Sequence, residues 1–113
     1  MTKELTNVYQ GTSDYPDAID WRDSGVITDV KDQGDCGSCW TFSSTGAMEG
    51  MYAIKYGTLK SFSEQQLVDC VYSYNGCGGG NQFNAFEYYL TKDVILEADY
   101  PYTATSHSLR RDC

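Results

Sequence analysis

The most reactive side chains in this sequence are its five cysteines, Cys36, Cys39, Cys70, Cys77 and Cys113. An odd count leaves at least one thiol free or paired outside the chain. Cys39 differs from the others in its setting. The run Gln33-Gly34-Asp35-Cys36-Gly37-Ser38-Cys39-Trp40 reads as a glycine-bearing loop entering the first turn of a helix. A helix start carries N–H groups without intrahelical partners and the positive end of the dipole, and both favour a thiolate, the attacking form of cysteine. Acyl transfer also needs donors for the developing oxyanion. The Cys39 backbone N–H supplies one, and the side-chain amide of Gln33 is placed to supply the second.

Other chemistries fit the same residues. All five cysteines can be structural, with one bridging two chains. Cys36-x-x-Cys39 has redox-pair spacing, but that reading needs a strand–turn–helix in a βαβ setting, and the sequence has none. A zinc site from Cys36, Cys39, Cys70 and Cys77 would need roughly two to four residues between its second pair, where six intervene. No metal ligand set and no cofactor signature emerges.

These residues need a scaffold, and the sequence predicts a mainly helical one. A first helix is expected over Cys39–Tyr56, with Trp40, Ala47, Met51 and Ile54 on one face and Gly57 as its stop. Ser63-Glu64-Gln65-Gln66 is a capping box for a second helix ending near Cys70. Asn81 caps a third, running through Phe83, Phe86 and Leu90. Before the cysteines, Ala18–Trp21 reads as extended and Val26–Val30 alternates like a short strand. Residues 1–14 are polar and unpatterned, a leader. Gly76-Cys77-Gly78-Gly79-Gly80 is a loop, and an irregular tail follows Tyr100-Pro101-Tyr102.

Composition narrows the classes. A chain of 113 residues is one domain at most, with a core small enough that cross-links matter. Its 41% apolar and 14% aromatic content fits folded rather than disordered structure. A net charge of −8 argues against a nucleic-acid partner, since no basic stripe could displace counterions. No apolar run approaches the ~18 residues of a membrane span. Met1-Thr2-Lys3-Glu4 opens no apolar stretch of the kind a signal peptide needs.

The motifs together resemble the papain-like (cathepsin-type) cysteine proteases. Cys36-Gly37-Ser38-Cys39-Trp40 matches the local signature of that family's nucleophile. Pro16 to Trp21-Arg22, Val30–Gly34, Phe62–Cys70, Gly76-Cys77 with Gly79-Gly80, and Tyr100-Pro101-Tyr102 follow in family order and at family spacing. The resemblance covers residues 15–113 and implies the α+β papain-like fold, of which this chain is the mainly α-helical left domain.

By that resemblance Cys39 is the nucleophile and Gln33 the oxyanion-hole residue. It also implies two disulfides, Cys36–Cys77 and Cys70–Cys113, which would leave Cys39 free. Gly37, Gly79 and Gly80 correspond to positions that bind a peptide substrate, where absence of a Cβ lets two backbones approach. Gly78 reads as a turn, Trp40 as core packing, and Glu49 and Tyr52 as surface or core. Asn81 and Gln82 stand where relatives often place apolar or aromatic residues, so the resemblance does not carry the family's hydrophobic preference at the second substrate subsite over to this chain.

The family's histidine and asparagine lie ~130–150 residues beyond the cysteine, whereas this sequence stops at Cys113. Its single histidine, His107, reads as a solvated loop residue. The expectations are therefore a propeptide tail over 1–14, an N-terminal domain over 15–113, and a β-rich domain supplied elsewhere. The partners implied are a peptide or protein substrate and a domain or second chain carrying His and Asn. The alternative is a non-catalytic papain-fold module for binding or scaffolding. The disulfides and the family point to a lysosomal, vacuolar or extracellular setting.

Overall fold

The computed structural model describes residues 15–71, 76–107 and 113, so the expected leader over 1–14 lies outside the described residues. Three α-helices are present among them: α1 (Cys39–Tyr56), α2 (Glu64–Cys70) and α3 (Gln82–Tyr88). Short 3-10 turns occupy Trp21–Ser24, Gly76–Gly78 and Glu97–Asp99. No strand forms among the described residues, where the one extended pairing is an isolated bridge between Phe62 and Leu96.

Helix α1 ends where Gly57 adopts φ 74° and returns its N–H to the Ala53 carbonyl at 2.9 Å. Its predicted apolar face is only partly the buried one. Trp40 is buried, but Met51 is 67% and Ile54 53% exposed. The helix instead buries Thr41, Ser44, Thr45 and Glu49 beside Gly50 and Ala53. These hydroxyls do not go unpaired. Thr41 Oγ1 donates to the Ser38 carbonyl at 2.8 Å, Ser44 Oγ to the Trp40 carbonyl at 2.7 Å, and Thr45 Oγ1 to Glu64. Burying a polar face is tolerable only with that full pairing.

Helix α2 is buried along all seven residues. Ser63 Oγ accepts from the Gln66 N–H at 3.0 Å, which is half of a capping box. The reciprocal half is not made. The Ser63 N–H goes to the Ile95 carbonyl, and the Gln66 amide reaches the Asp93 carbonyl and the Ile95 N–H instead. Gln65 does the same for the next stretch, donating to the Thr105 carbonyl at 2.8 Å and accepting from the Thr103 N–H at 2.9 Å. Two buried glutamines thus satisfy backbone groups of Asp93, Ile95, Thr103 and Thr105 in segments that, among the described residues, join no sheet. The apolar cluster beside them is small: Trp40, Leu67, Val71 and Ala85, flanked by Tyr88 and Tyr89.

Helix α3 starts at Asn81, whose Oδ1 accepts from the Phe83 N–H at 2.7 Å. It stops at Tyr88, short of Leu90, which lies in the following turn and is 81% exposed. Phe83 and Phe86 also face outward, and Ala85 is the helix's buried residue. The face bearing Phe83 and Phe86 is therefore not the one that packs. A small residue is needed where α3 meets the Trp40 cluster.

Two extended expectations also change. Val26–Val30 forms no strand: Val30 is fully exposed, and among the described residues no neighbouring segment pairs with it in a ladder. What fixes the segment is polar, with Thr28 Oγ1 donating to Glu49 at 3.0 Å and Lys31 Nζ lying 2.8 Å from both Glu49 and Glu64. Trp21 belongs to a 3-10 turn capped by Asp20, whose Oδ1 accepts from the Arg22 N–H at 3.0 Å.

Candidate active site

Cys39 is the first residue of α1 and its thiol is exposed and unbridged. The other four cysteines form Cys36–Cys77 and Cys70–Cys113, with Cα separations of 4.6 and 5.4 Å. Neither a Cys36–Cys39 redox pair nor a four-cysteine zinc site can be assembled from what remains. Among the described residues no group of three His, Cys, Asp or Glu side chains is placed to hold a metal ion.

The loop before Cys39 is held from several sides. Gly34 takes φ 63°, and its N–H donates to Asp32 Oδ1 at 2.8 Å. The Gln33 side-chain amide donates through Nε2 to the Cys36 carbonyl at 2.9 Å. A primary amide carries two N–H bonds, so this tether fixes the group and leaves the second hydrogen for another acceptor. The Ser38 N–H donates to the Cys36 carbonyl at 2.8 Å, bringing the loop tightly into the helix start. Ser38 occupies the N-cap position but makes no side-chain cap. The first N–H groups of α1, that of Cys39 included, have no acceptor within the helix.

Against this loop lies the glycine-rich turn. The Cys36–Cys77 bridge joins them, the Gly37 N–H donates to the Cys77 carbonyl at 2.8 Å, and the Trp40 indole N–H donates to the Gly76 carbonyl at 3.2 Å. A Cβ on Gly37 would fall 2.4 Å from the Cys77 carbonyl oxygen, and one on Gly80 would fall 2.4 Å from the Trp40 indole. The sequence marked both glycines for substrate approach, and each has a packing reason of its own. Gly79 differs: it adopts φ 122° with open space beside it. Gly78 sits in the 3-10 turn. The Asn81 side chain is spent on capping α3, while Gln82 is exposed.

His107 is not the solvated residue its polar surroundings suggest. Its Nδ1 lies 2.9 and 2.8 Å from the two carboxylate oxygens of Asp69, a fully buried side chain that also accepts from Tyr100 Oη at 2.7 Å. Its neighbour Ser106 accepts from the Cys77 N–H at 2.9 Å.

Sequence reasoning passed over a buried acidic cluster behind the site. Lys31 bridges Glu49 and Glu64, and Glu97 lies against Glu64. Glu64 Oε1 and Glu97 Oε2 are buried and take no donor from any other residue, so the proton held by one carboxyl is what pairs it with the other. Burial, reinforced by the Glu64 carboxyl, pushes the Glu97 carboxyl up to about 7. Four acidic and basic residues scattered from 31 to 97 give no local pattern, so only the fold reveals them.

Residues 15–113 match the papain family cysteine protease pattern. The chain is 55% identical over 97 residues to a cathepsin L-like proteinase of Fasciola hepatica, covering 84% of this chain and 30% of that protein. It is 50% identical over 109 residues to mouse pro-cathepsin H, covering 93% of this chain and 33% of the relative. The ragweed pollen cysteine protease in its proform superimposes with a TM-score of 0.82 at 46% identity, over 88% of this chain and 31% of that one. Bromelain of Ananas comosus, in complex with the E64 inhibitor, gives 0.78 at 47% identity, over 82% and 43%. The chain therefore spans about a third of the length of the curated relatives named here.

Proposed function

Since this chain belongs to the papain family of cysteine proteases, we propose that it is the N-terminal, helical part of a peptidase that cleaves peptide bonds by acyl transfer through Cys39. The observation that carries this reading is that Cys39 is the one unbridged thiol, exposed at the start of α1 beside the tethered Gln33 amide.

The chemistry follows from these groups. The Cys39 thiolate adds to the scissile carbonyl, and the oxyanion forms between the Cys39 backbone N–H and the free hydrogen of the Gln33 amide. The tetrahedral adduct collapses to a thioester on Cys39 as the amine leaves with a proton from an imidazolium. Water then attacks the thioester, releasing the carboxylic acid and the thiol. His107 is committed to Asp69, so the imidazole and its orienting asparagine are assigned to a domain or chain outside this sequence. Gly79, with open space and a permissive backbone, lies at the rim with Gly37 and Gly80 as the strip along which a peptide pairs. The exposed groove of about 550 Å³ on the second half of α1, lined by Met48, Met51, Tyr52, Phe62 and Leu96, supports the reading that α1 packs against a further part of the protein. Two disulfides suit an oxidising compartment, lysosomal, vacuolar or extracellular.

A second reading is supported by the same histidine: with its one imidazole occupied, this chain by itself acts as a binding or scaffold module. Hydrolysis of a chromogenic peptide separates the two. The protein carrying this sequence together with the histidine-bearing part is expected to cleave, and its Cys39→Ser variant to lose at least about 10³-fold in rate. No cleavage by the assembled protein would favour the module.

A further inference from the structure

The Tyr102 hydroxyl sits under the active-site loop and touches it twice. It donates to the Gln33 carbonyl at 2.6 Å and lies 2.6 Å from Ser38 Oγ. The protons can be assigned from chemistry alone. A carbonyl only accepts, so the single phenolic hydrogen goes to Gln33, and Ser38 must donate its own to the phenolic oxygen. Ser38 is at the N-cap of α1 but makes no cap there, its Oγ lying against the Tyr102 hydroxyl instead. The two contacts fall on the residues that carry the oxyanion donors: Gln33 bears the amide, and Ser38 immediately precedes the Cys39 N–H. Tyr102 is itself braced. Its ring meets Phe42 of α1 edge-on at 4.9 Å, and its N–H donates to Glu97 Oε1 at 2.8 Å.

We propose that Tyr102 is a positioning residue for the oxyanion site, its hydroxyl setting the spacing between the Gln33 amide and the Cys39 N–H. The inference rests on the reading of Cys39 as an acyl-transfer nucleophile. Two donors act together only if both reach the same oxygen, and a 1 Å misplacement can cost about 100-fold in rate. The Cys36 carbonyl, which accepts from both Gln33 Nε2 and the Ser38 N–H, is one tie between their residues, and the Tyr102 hydroxyl, bound to the Gln33 carbonyl and Ser38 Oγ, is a second.

The test is Tyr102→Phe in the assembled protein, which removes the hydroxyl and keeps the ring against Phe42. Three quantities are read: kcat and KM on a chromogenic peptide, and the rate of Cys39 alkylation by iodoacetamide. Alkylation displaces iodide without forming an oxyanion, so it reports the thiol and the fold but not the donors. We expect kcat to fall about tenfold or more, with KM and alkylation changed less than about twofold. Ser38→Ala, which keeps the Gln33 contact, is expected to show the same pattern in smaller measure, and it carries the test if Tyr102→Phe does not fold. An unchanged kcat overturns the proposal while leaving the acyl-transfer reading intact, as does a kcat that falls only in step with alkylation. A parent protein that cleaves nothing overturns both.

Discussion

The imidazole of His107 is held against Asp69, with Nδ1 within 2.9 Å of both carboxylate oxygens. The pairing ties the tail to the buried helix α2, and it gives the histidine a structural task. We predict that His107→Ala lowers the unfolding free energy by about 1–3 kcal/mol, because a buried carboxylate loses a partner. Peptide cleavage by the assembled protein should stay at the parent rate. If cleavage vanished while the urea midpoint held, His107 would belong to the chemistry and no outside imidazole would be needed.

The pairing of Glu97 with Glu64 predicts a stability that depends on pH. Burial first, then the neighbouring Glu64 carboxyl, raises Glu97 from its ordinary 4.5 to about 7, so the folded chain holds a proton that the unfolded chain releases. Stability from this group is complete below about pH 4.5 and is lost as pH rises towards 7. Lys31, between Glu49 and Glu64, opposes the shift but does not cancel it. Urea midpoints measured from pH 4 to 8 should fall across that window. Glu97→Gln, which can donate to Glu64 permanently, should flatten the profile. An equally steep profile in the variant would assign the dependence to another group.

The contact between Gly80 and the Trp40 indole predicts that Gly80→Ala is destabilising, by about 1–3 kcal/mol for an overpacked site. Because Trp40 follows Cys39, cleavage should decline too. Gly79→Ala meets no atom, and its cost comes from φ 122° alone. A Gly80→Ala variant as stable as the parent would mean that the indole is free to move aside.

Each disulfide closes a loop of 41 or 43 residues, for which chain entropy gives about 4 kcal/mol. The loops interlock, so the two contributions do not simply add. Non-reducing peptide mapping should recover Cys36–Cys77 and Cys70–Cys113, with Cys39 alone alkylated without reduction. A Cys36–Cys39 bridge would remove the nucleophile from the account.

Features whose cause is local are legible in the sequence. Cys39–Tyr56 with its Gly57 stop, the Ser63 cap and the Asn81 cap all depend on neighbours within one turn. The family motifs made the mainly helical fold legible as well. What resisted reading depends on distant partners. The 26–30 segment alternates, but a strand needs a neighbour, and Glu49 claims Thr28 and Lys31 instead. Met51, Ile54, Phe83 and Leu90 look like core residues and are exposed, because the buried helix faces here are polar or small. Gln65 and Gln66 give no hint in sequence that they replace a sheet's hydrogen bonding. Tyr102 belongs to a recognisable motif, yet only the fold brings its hydroxyl under Gln33, 69 positions away.

The central claim, that Cys39 carries the acyl group, is tested most directly by mass mapping of the assembled protein quenched with acid during turnover of a slow ester substrate. The account predicts a thioester adduct on the peptide containing Cys39, appearing at the rate of product burst and absent from Cys39→Ser. An acyl group on any other residue, or steady cleavage with Cys39 unmodified and alkylatable throughout, would contradict it.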